Sequence, residues 1–449
     1  MTAMYDKESR TPSWRPMSVT SEVFYHLGRT VNANSACIFR IRGELDRAVL
    51  RQSIDKLVER HPLLRSVMQS KGRQPGWRSV RQEVVIDEIA LEAEGHHAQM
   101  EEMVNAAWCV QFREGKDIPL RVHLSRVRGA TYLQLVTSHI AEDARASYQI
   151  SHDLVRIYNG IYHGNAAALA FLTPVNPPNR SMDRYFFVAG LAEKLMMFLG
   201  AVVFLVRDLF AKDISNPLDR KAEPQYSPDF TQRGLEIREL PETLFQRLRE
   251  AAKQNRSSVH SLMLLALSRL IWRNNQDHQK RQVRLVDMFS LRPLGKGECD
   301  SLYENVVMPY FIRIKPGGDQ DMLQQIMRRI NGMKSGGHLV EYFRYRLMIV
   351  LVRRIRDSTR LRSFIRKVVK SKMIVTNPGQ IPFALEKFGD SVIDEFFTYA
   401  QLFPPGITMC QFSGFRDRIR LIMLYDKSCF GVEEKNRFLD DYFMELEKL

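Results

Sequence analysis

Cysteine is scarce in this chain. The five residues, Cys37, Cys109, Cys299, Cys410 and Cys429, are odd in number and scattered, with no CxxC pair. That excludes a disulfide framework and a cysteine-built zinc site, and it fits a reducing cytosol. The first residues, MTAMYDKESRTPSWRP, lack the apolar core of a signal peptide, so no secretory leader is expected. An uninterrupted membrane span is lacking too. The apolar stretch from Leu195 to Val206 has twelve residues, short of the ~20 that a span needs. No internal repeat is visible. What is present is a globular balance, 45% hydrophobic and 26% charged, in 449 residues, more than one core usually supports. Two lobes are expected.

The segment from Thr131 to Gly160 carries the chemistry. Val122, Leu124 and Val127 are apolar in a mostly polar run, Arg128-Gly129 supplies a turn, and Leu133 and Leu135 alternate with polar neighbours. This spacing predicts a β-hairpin that delivers His139 at a strand end. Ala144 to Tyr158 reads as a helix with Ile150, Leu154 and Ile157 on one face, stopped by Asn159-Gly160. His139 and Asp143 thus form an HxxxD arrangement across a strand-to-helix loop. A neutral imidazole held there can take a proton from an attacking alcohol, amine or thiol, and the carboxylate can pin the loop. Spacing alone equally describes an ordinary strand-end histidine followed by an ordinary helix cap.

Five co-linear segments carry a resemblance. SHIAEDA with its following helix is similar to the HHxxxDG segment of non-ribosomal-peptide condensation domains. Their relatives include chloramphenicol acetyltransferase, plant alcohol acyltransferases and mycobacterial polyketide-associated acyltransferases. Glu44 to Met68 resembles the superfamily's amino-terminal signature, and Arg284 to Pro293 (RLVDMFSLRP) its central strand ending in Arg-Pro. Tyr303 to Ile314 (YENVVMPYFIRI) and Ile374 to Gly379 (IVTNPG) resemble later strands. Ser138 stands where condensation domains usually carry a first His, and Ala144 replaces their Gly. A DFGWG segment is missing, which sets the plant enzymes apart.

The resemblance implies an α/β chloramphenicol-acetyltransferase-like fold, with two lobes of mixed sheet covered by helices and a tunnel between them. It implies an acyltransferase in secondary-metabolite or lipid biosynthesis, with a thioester donor and a hydroxyl or amine acceptor. His139 would be the base, and Asp143 would pair with Arg292 (Arg65 as fallback) to hold the geometry. Ser138, Asn377 and Ser413 are candidate oxyanion or substrate contacts. No bound cofactor and no metal are implied; coenzyme A or a phosphopantetheinyl acyl- or peptidyl-carrier protein would bring the acyl group. An amide-forming stand-alone condensation enzyme and a non-catalytic scaffold of the same fold are the alternatives.

Along the chain, residues 1–172 form the expected first lobe, 173–234 a linker with an apolar helix, and 235–449 the second lobe. Ala36 to Ile41 reads as a strand, and Asp46 caps a helix with Val49, Leu50, Ile54, Leu57 and Val58 on one face. Ser258 to Arg273 repeats that pattern with Val259, Leu262, Met263, Ala266 and Leu270. TPVNPPNR (173–180) and the polar 216–228 read as linkers. Between them, 185–210 is expected to be a buried or lobe-bridging helix, with peripheral membrane contact as the alternative. The net charge is +15, and Glu341 to Lys372 concentrates eleven basic residues against two acidic ones. One or two basic amphipathic helices are expected there. Arg353, Arg354, Arg362 and Arg366 are candidates for docking a carrier protein, coenzyme A phosphates or anionic lipid. Nucleic acid ranks last, since no recognised motif accompanies the charge. His96-His97 is expected to open a helix, His61 to pack at a helix end and His152 to lie at a surface or lobe interface. The oligomeric state is left open.

Overall fold

The computed structural model describes residues 14–127, 129–175, 183, 190–211, 213–218, 233–275, 281–295 and 302–449. The expected linker residues 176–180 and 219–228, residues 185–189 of the apolar stretch, and Cys299 lie outside them.

Two six-stranded mixed sheets face each other. The first takes β2 (Asn34–Arg42), β5 (Val85–Glu88), β6 (Leu120–Val127), β7 (Ala130–Ser138), β12 (Lys387–Phe388) and β13 (Ser391–Ala400), in the order β12-β13-β2-β7-β6-β5. The second takes β8 (Arg233–Glu239), β9 (Val283–Ser290), β10 (Val307–Ile314), β11 (Met373–Gln380), β14 (Thr408–Phe415) and β15 (Arg418–Asp426), in the order β10-β9-β11-β14-β15-β8. A small sheet joins β1 (Trp14–Pro16), β4 (Gly76–Ser79) and β3 (Ser66–Met68). The helices are α1 (Val19–Gly28), α2 (Arg47–Arg60), α3 (His96–Cys109), α4 (Ala144–Tyr162), α5 (Leu191–Phe210), α6 (Glu242–Gln254), α7 (Val259–Arg273), α8 (Asp319–Gly332), α9 (His338–Val352), α10 (Ser358–Val369) and α11 (Val432–Glu447).

Alternation along β2 explains the layering. Cys37, Phe39 and Ile41 point into the first lobe's core with Leu50, Ile54 and Leu57 of α2 and Ile150, Leu154 and Ile157 of α4. Ala36 and Ile38, on the opposite face, join Val286, Ile374, Ile422 and Leu424 of the second sheet in a separate apolar layer between the lobes. Both faces are therefore dry, as the run NSACIFRIR requires.

Several expectations are corrected. Residues 235–449 do not stay in one sheet: β13 pairs antiparallel with β2 and completes the first lobe, because Phe396 fits that lobe's core while Phe397 and Tyr399 fill the layer between lobes. Helix α4 passes through Asn159-Gly160 to Tyr162. There Gly160 leaves room for Leu169, whose Cδ2 would lie 2.6 Å from any Cβ. Helix α7 buries nearly its whole circumference, from Leu262 to Ser268 with Leu270 and Ile271, instead of one stripe. The basic segment does form the expected helices, two of them, α9 and α10. Above all, α5 is not buried: Leu195, Met196 and Val203 are 60%, 67% and 67% exposed, and only Ala201 and Asp208 are buried.

Candidate active site

Strands β6 and β7 form the hairpin, with Gly129 at φ +77° in its turn. His139 follows the last residue of β7 and is buried, its main-chain N–H donating to Ala33 O at 2.7 Å. Its Nδ1 lies 2.7 Å from the main-chain oxygen of Glu142. A carbonyl only accepts, so Nδ1 carries the proton and Nε2 keeps the lone pair. Asn305 Nδ2 donates to the His139 carbonyl, holding the loop from the second lobe. Phe24 packs on the imidazole with ring centroids 4.3 Å apart, and Phe403 stacks at 6.1 Å. Burial pushes the pKa of His139 down to about 4, against the weaker pull of the Glu142 carbonyl and the Asp143 charge. The imidazole is thus neutral at neutral pH.

Asp143 caps α4, its Oδ1 accepting from Ala146 N at 2.9 Å. The same carboxylate accepts from Arg292 Nη2 at 2.9 Å and, through Oδ2, from Val306 N at 3.1 Å. Arg292 also donates to the carbonyls of Leu302 and Glu304. Arg292, not Arg65, is the partner, and both members of the pair are buried. Ala144 is the first residue of α4 and has no positive φ, so this turn does not need the glycine of related motifs.

Glu142 was not foreseen. Its side chain is buried under three hydroxyls, Ser35 at 2.7 Å, Ser147 at 2.8 Å and Thr137, all on Oε1. Burial raises its pKa to about 7; the three hydroxyls pull it down, and Asp143 adds to the rise. Nothing in the sequence marks a glutamate inside HIAED as buried. Asn305 also went unnoticed as an individual residue, because its contact is to a main-chain oxygen 166 positions away.

His139 opens into a cavity of about 620 Å³ between the lobes, shared with Asp143, Arg145, Arg292, Asn377 and Gln411. Asn377 therefore shares the cavity with His139; its Oδ1 accepts from Gly379 N at 3.0 Å. Arg145, in the first turn of α4, is a cavity cation that the sequence reading passed over. Ser138 lines a different cavity, with Asn34, Gln111 and Ile140, because successive residues at a strand end point to opposite sides. Ser413 lines a neighbouring groove that Asn377 also reaches, with its hydroxyl 3.2 Å from that of Tyr148. Behind Phe24 and Phe403 is a narrow apolar cavity of about 100 Å³, walled by Tyr345, Met348 and Ile349 of α9 and by Met288, which also lines the His139 cavity.

The four arginines expected to be candidates for docking divide. Arg353 ion-pairs with Glu22 of α1, Nε to Oε1 at 2.6 Å, and Arg362 donates to Thr30 O at 3.1 Å, so both tie the lobes together. Arg354 and Arg366 are exposed. His96, His61 and His152 have structural partners: His96 with Tyr132 and Glu395, His61 with Asp153, and His152 stacked on Phe383.

The chain has the fold of condensation domains. It is similar to a variant of the starter condensation domain of rhizomide synthetase RzmA, solved in complex with C8-CoA and Leu-SNAC. The TM-score is 0.67, with 14% identity over 97% of this chain and 94% of that one. It is also similar to the first condensation domain of the CDA synthetase (TM-score 0.67, 12% identity, 96% and 95% covered). Polyketide synthase associated protein 5 from Mycobacterium tuberculosis is a third (TM-score 0.66, 14% identity, 96% and 97% covered). No family model and no curated protein sequence matches the chain.

Proposed function

We propose that this chain is an acyltransferase in which His139 is the general base. The observation that carries the reading is the neutral imidazole, fixed as the Nδ1–H tautomer by the Glu142 carbonyl and opening into the cavity between the lobes. Nε2 takes the proton of an acceptor hydroxyl or amine as its oxygen or nitrogen bonds to the thioester carbonyl. The tetrahedral species then breaks its C–S bond, and the imidazolium returns the proton to the departing thiolate. Asn377, on the same cavity, is the candidate donor to the developing oxyanion. Asp143 and Arg292 hold the loop's geometry and touch no reacting atom, and the Asp143 charge also favours the protonated ring.

The donor is an acyl thioester, of coenzyme A or of a carrier-protein phosphopantetheine. The complex of the RzmA domain with C8-CoA and Leu-SNAC supports a thioester donor and an amine acceptor by likeness of fold. The apolar cavity behind Phe24 and Phe403 suits a hydrocarbon chain. Ser138 lies outside the His139 cavity, so its departure from the related motif leaves the base's surroundings intact, which weighs against a scaffold.

The test is transfer from a panel of acyl-CoA and acyl-carrier donors by purified wild-type and His139→Ala or His139→Gln protein. Loss of a positioned base should lower turnover by ~10²–10⁴ with a nearly unchanged thermal midpoint. Near-normal transfer by His139→Ala with any donor that the wild type accepts overturns the assignment in favour of the scaffold.

A further inference from the structure

The apolar helix α5 is assembled inside out. Leu191, Leu195, Leu199, Val202, Val206 and Phe210 recur at helical spacing, and each is 38% exposed or more. At 100° per residue these six, with Met196, Phe198, Val203 and Leu209, share an arc of roughly 160° that holds no charged residue. The opposite face carries Asp208, fully buried and gripped by three arginines. Its Oδ2 accepts from Arg344 Nη1 at 2.8 Å, Arg313 binds Oδ1, and Arg284 lies 3.9 Å away. At the helix end Lys370 Nζ donates to Leu209 O and Ala211 O, at 2.7 and 2.9 Å. This anchoring fixes which face points out. Among the described residues nothing covers the apolar arc.

The flank of this face is basic. Helix α9, which packs along α5, exposes Arg346, Val350 and Leu351, and Arg354 follows just beyond its end. Arg366 and Lys367 are exposed at the carboxyl-terminal turn of α10, close to the Lys370 that caps α5. Arg207 is exposed on α5 itself. The exposed acids in these three helices and the turn between them are Glu193, in the first turn of α5, and Asp357, which caps α10 by accepting from Arg360 N at 2.7 Å. An apolar arc beside clustered arginine and lysine matches the layered chemistry of an anionic membrane surface, with hydrocarbon below and phosphate above. Among the described residues no helix is long and apolar enough to cross a membrane.

We propose that α5, flanked by the basic residues of α9 and α10, seats this protein on an anionic lipid surface. The helix lies in the interface plane with Leu195, Leu199, Val203 and Phe210 among the acyl chains, and Arg346, Arg354, Arg366 and Lys367 at the headgroup phosphates. Helix α9 has the opposite side of the same arrangement, since its Tyr345, Met348 and Ile349 wall the apolar cavity behind His139. The membrane face and that cavity are one helix apart. The inference concerns binding alone and stands independently of acyl transfer.

The experiment is co-sedimentation of the full chain with vesicles of phosphatidylcholine, with and without phosphatidylglycerol, at low and high salt. Wild type should bind the phosphatidylglycerol vesicles, and salt should weaken that binding by screening. Leu199→Glu/Val203→Glu, at two exposed positions that leave the core untouched, should abolish it. Arg354→Glu/Arg366→Glu should lower the partition coefficient by roughly tenfold or more, each basic residue near such a surface contributing about fivefold. Circular dichroism of both variants should match wild type. If the glutamate pair on α5 misfolds, the α9–α10 charge pair decides. Equal binding to phosphatidylcholine alone, or unchanged binding by the variants, overturns the proposal. So does a wild-type dimer that Leu199→Glu/Val203→Glu dissociates while no vesicle is bound, because a second copy would then be the occupant.

Discussion

Replacing Glu142 by Gln is the sharpest perturbation the structure offers. The Glu142 carboxyl is fully enclosed, and burial raises its pKa from 4.5 to about 7. Between those two values the unfolded chain has given up a proton that the folded chain still holds, so stability falls as pH rises through the window. Integrated from pH 4 to pH 7.5, the loss is about 3 kcal/mol, at 1.36 kcal/mol per pKa unit. Gln cannot titrate, and its carbonyl can accept from the same three hydroxyls. The variant should therefore gain about 3 kcal/mol relative to wild type between pH 4 and pH 7.5. His139 works in the opposite sense. Its pKa is lowered from 6.5 to about 4, so the unfolded chain binds a proton first as pH falls, and stability rises with pH across that range. In wild type the two slopes offset each other between pH 4.5 and 6.5, and the Gln variant uncovers the histidine slope alone. Urea denaturation of both proteins at several pH values reads the difference directly. A wild-type-to-variant gap that is the same at pH 4 and pH 7.5 would falsify the claim that Glu142 is a neutral buried acid.

Two further outcomes follow from the same loop. With His139 neutral down to about pH 4, kcat/KM should hold from neutral pH to about pH 5 and decline below it as the base is protonated; an acid limb centred between pH 6 and 7 in the pH profile refutes the buried-base geometry. Asp143→Ala should cost ~3–5 kcal/mol by leaving Arg292 buried without its carboxylate, and soluble yield and urea midpoint should drop together with rate, whereas His139→Ala should change rate alone at pH 7.5, where the ring is neutral folded and unfolded alike.

The sequence carried the elements of the site better than its electrostatics. Alternation in β7 and the cap chemistry of Asp143 placed His139 at a strand end before a helix, because both signals are local. Arg292 was reachable only through the resemblance of its segment, since it meets Asp143 from 149 positions away. Arg353 and Arg362 looked like part of a uniform basic face, yet Arg353 is committed to Glu22 and Arg362 to Thr30, over 300 positions away. A charge run does not show which of its members will be neutralised. The orientation of α5 was equally hidden. Periodicity defines an apolar face but not the side of the helix on which the protein lies, and the decisive residue, Asp208, is polar and inside. The return of β13 to the first sheet escaped notice because its alternation fits either lobe.

Adjacent acids in the loop are given opposite surroundings. Asp143 faces Arg292 and two main-chain N–H donors, whereas Glu142 faces only hydroxyls and the neighbouring Asp143 charge. Ionising Glu142 as well would place a second negative charge beside the first with no cation to meet it, so protonated Glu142 is the state that fits. This matters for the proposed role of His139 as base. When His139 takes a proton, the imidazolium is stabilised by the Asp143 charge and by the Glu142 carbonyl that holds Nδ1–H, both of which oppose the desolvation that keeps the ring neutral at rest. In the proposed reaction the ring is therefore a weak base before substrate arrives, and the two groups that favour its charged form are already in place when proton transfer begins. Removing the Asp143 charge with Asn should lower the His139 pKa further, an outcome measurable as a downward shift of the acid limb in the pH profile of the soluble Asp143→Asn protein. An unchanged or raised limb would show that Asp143 acts on the loop's geometry and not on the proton.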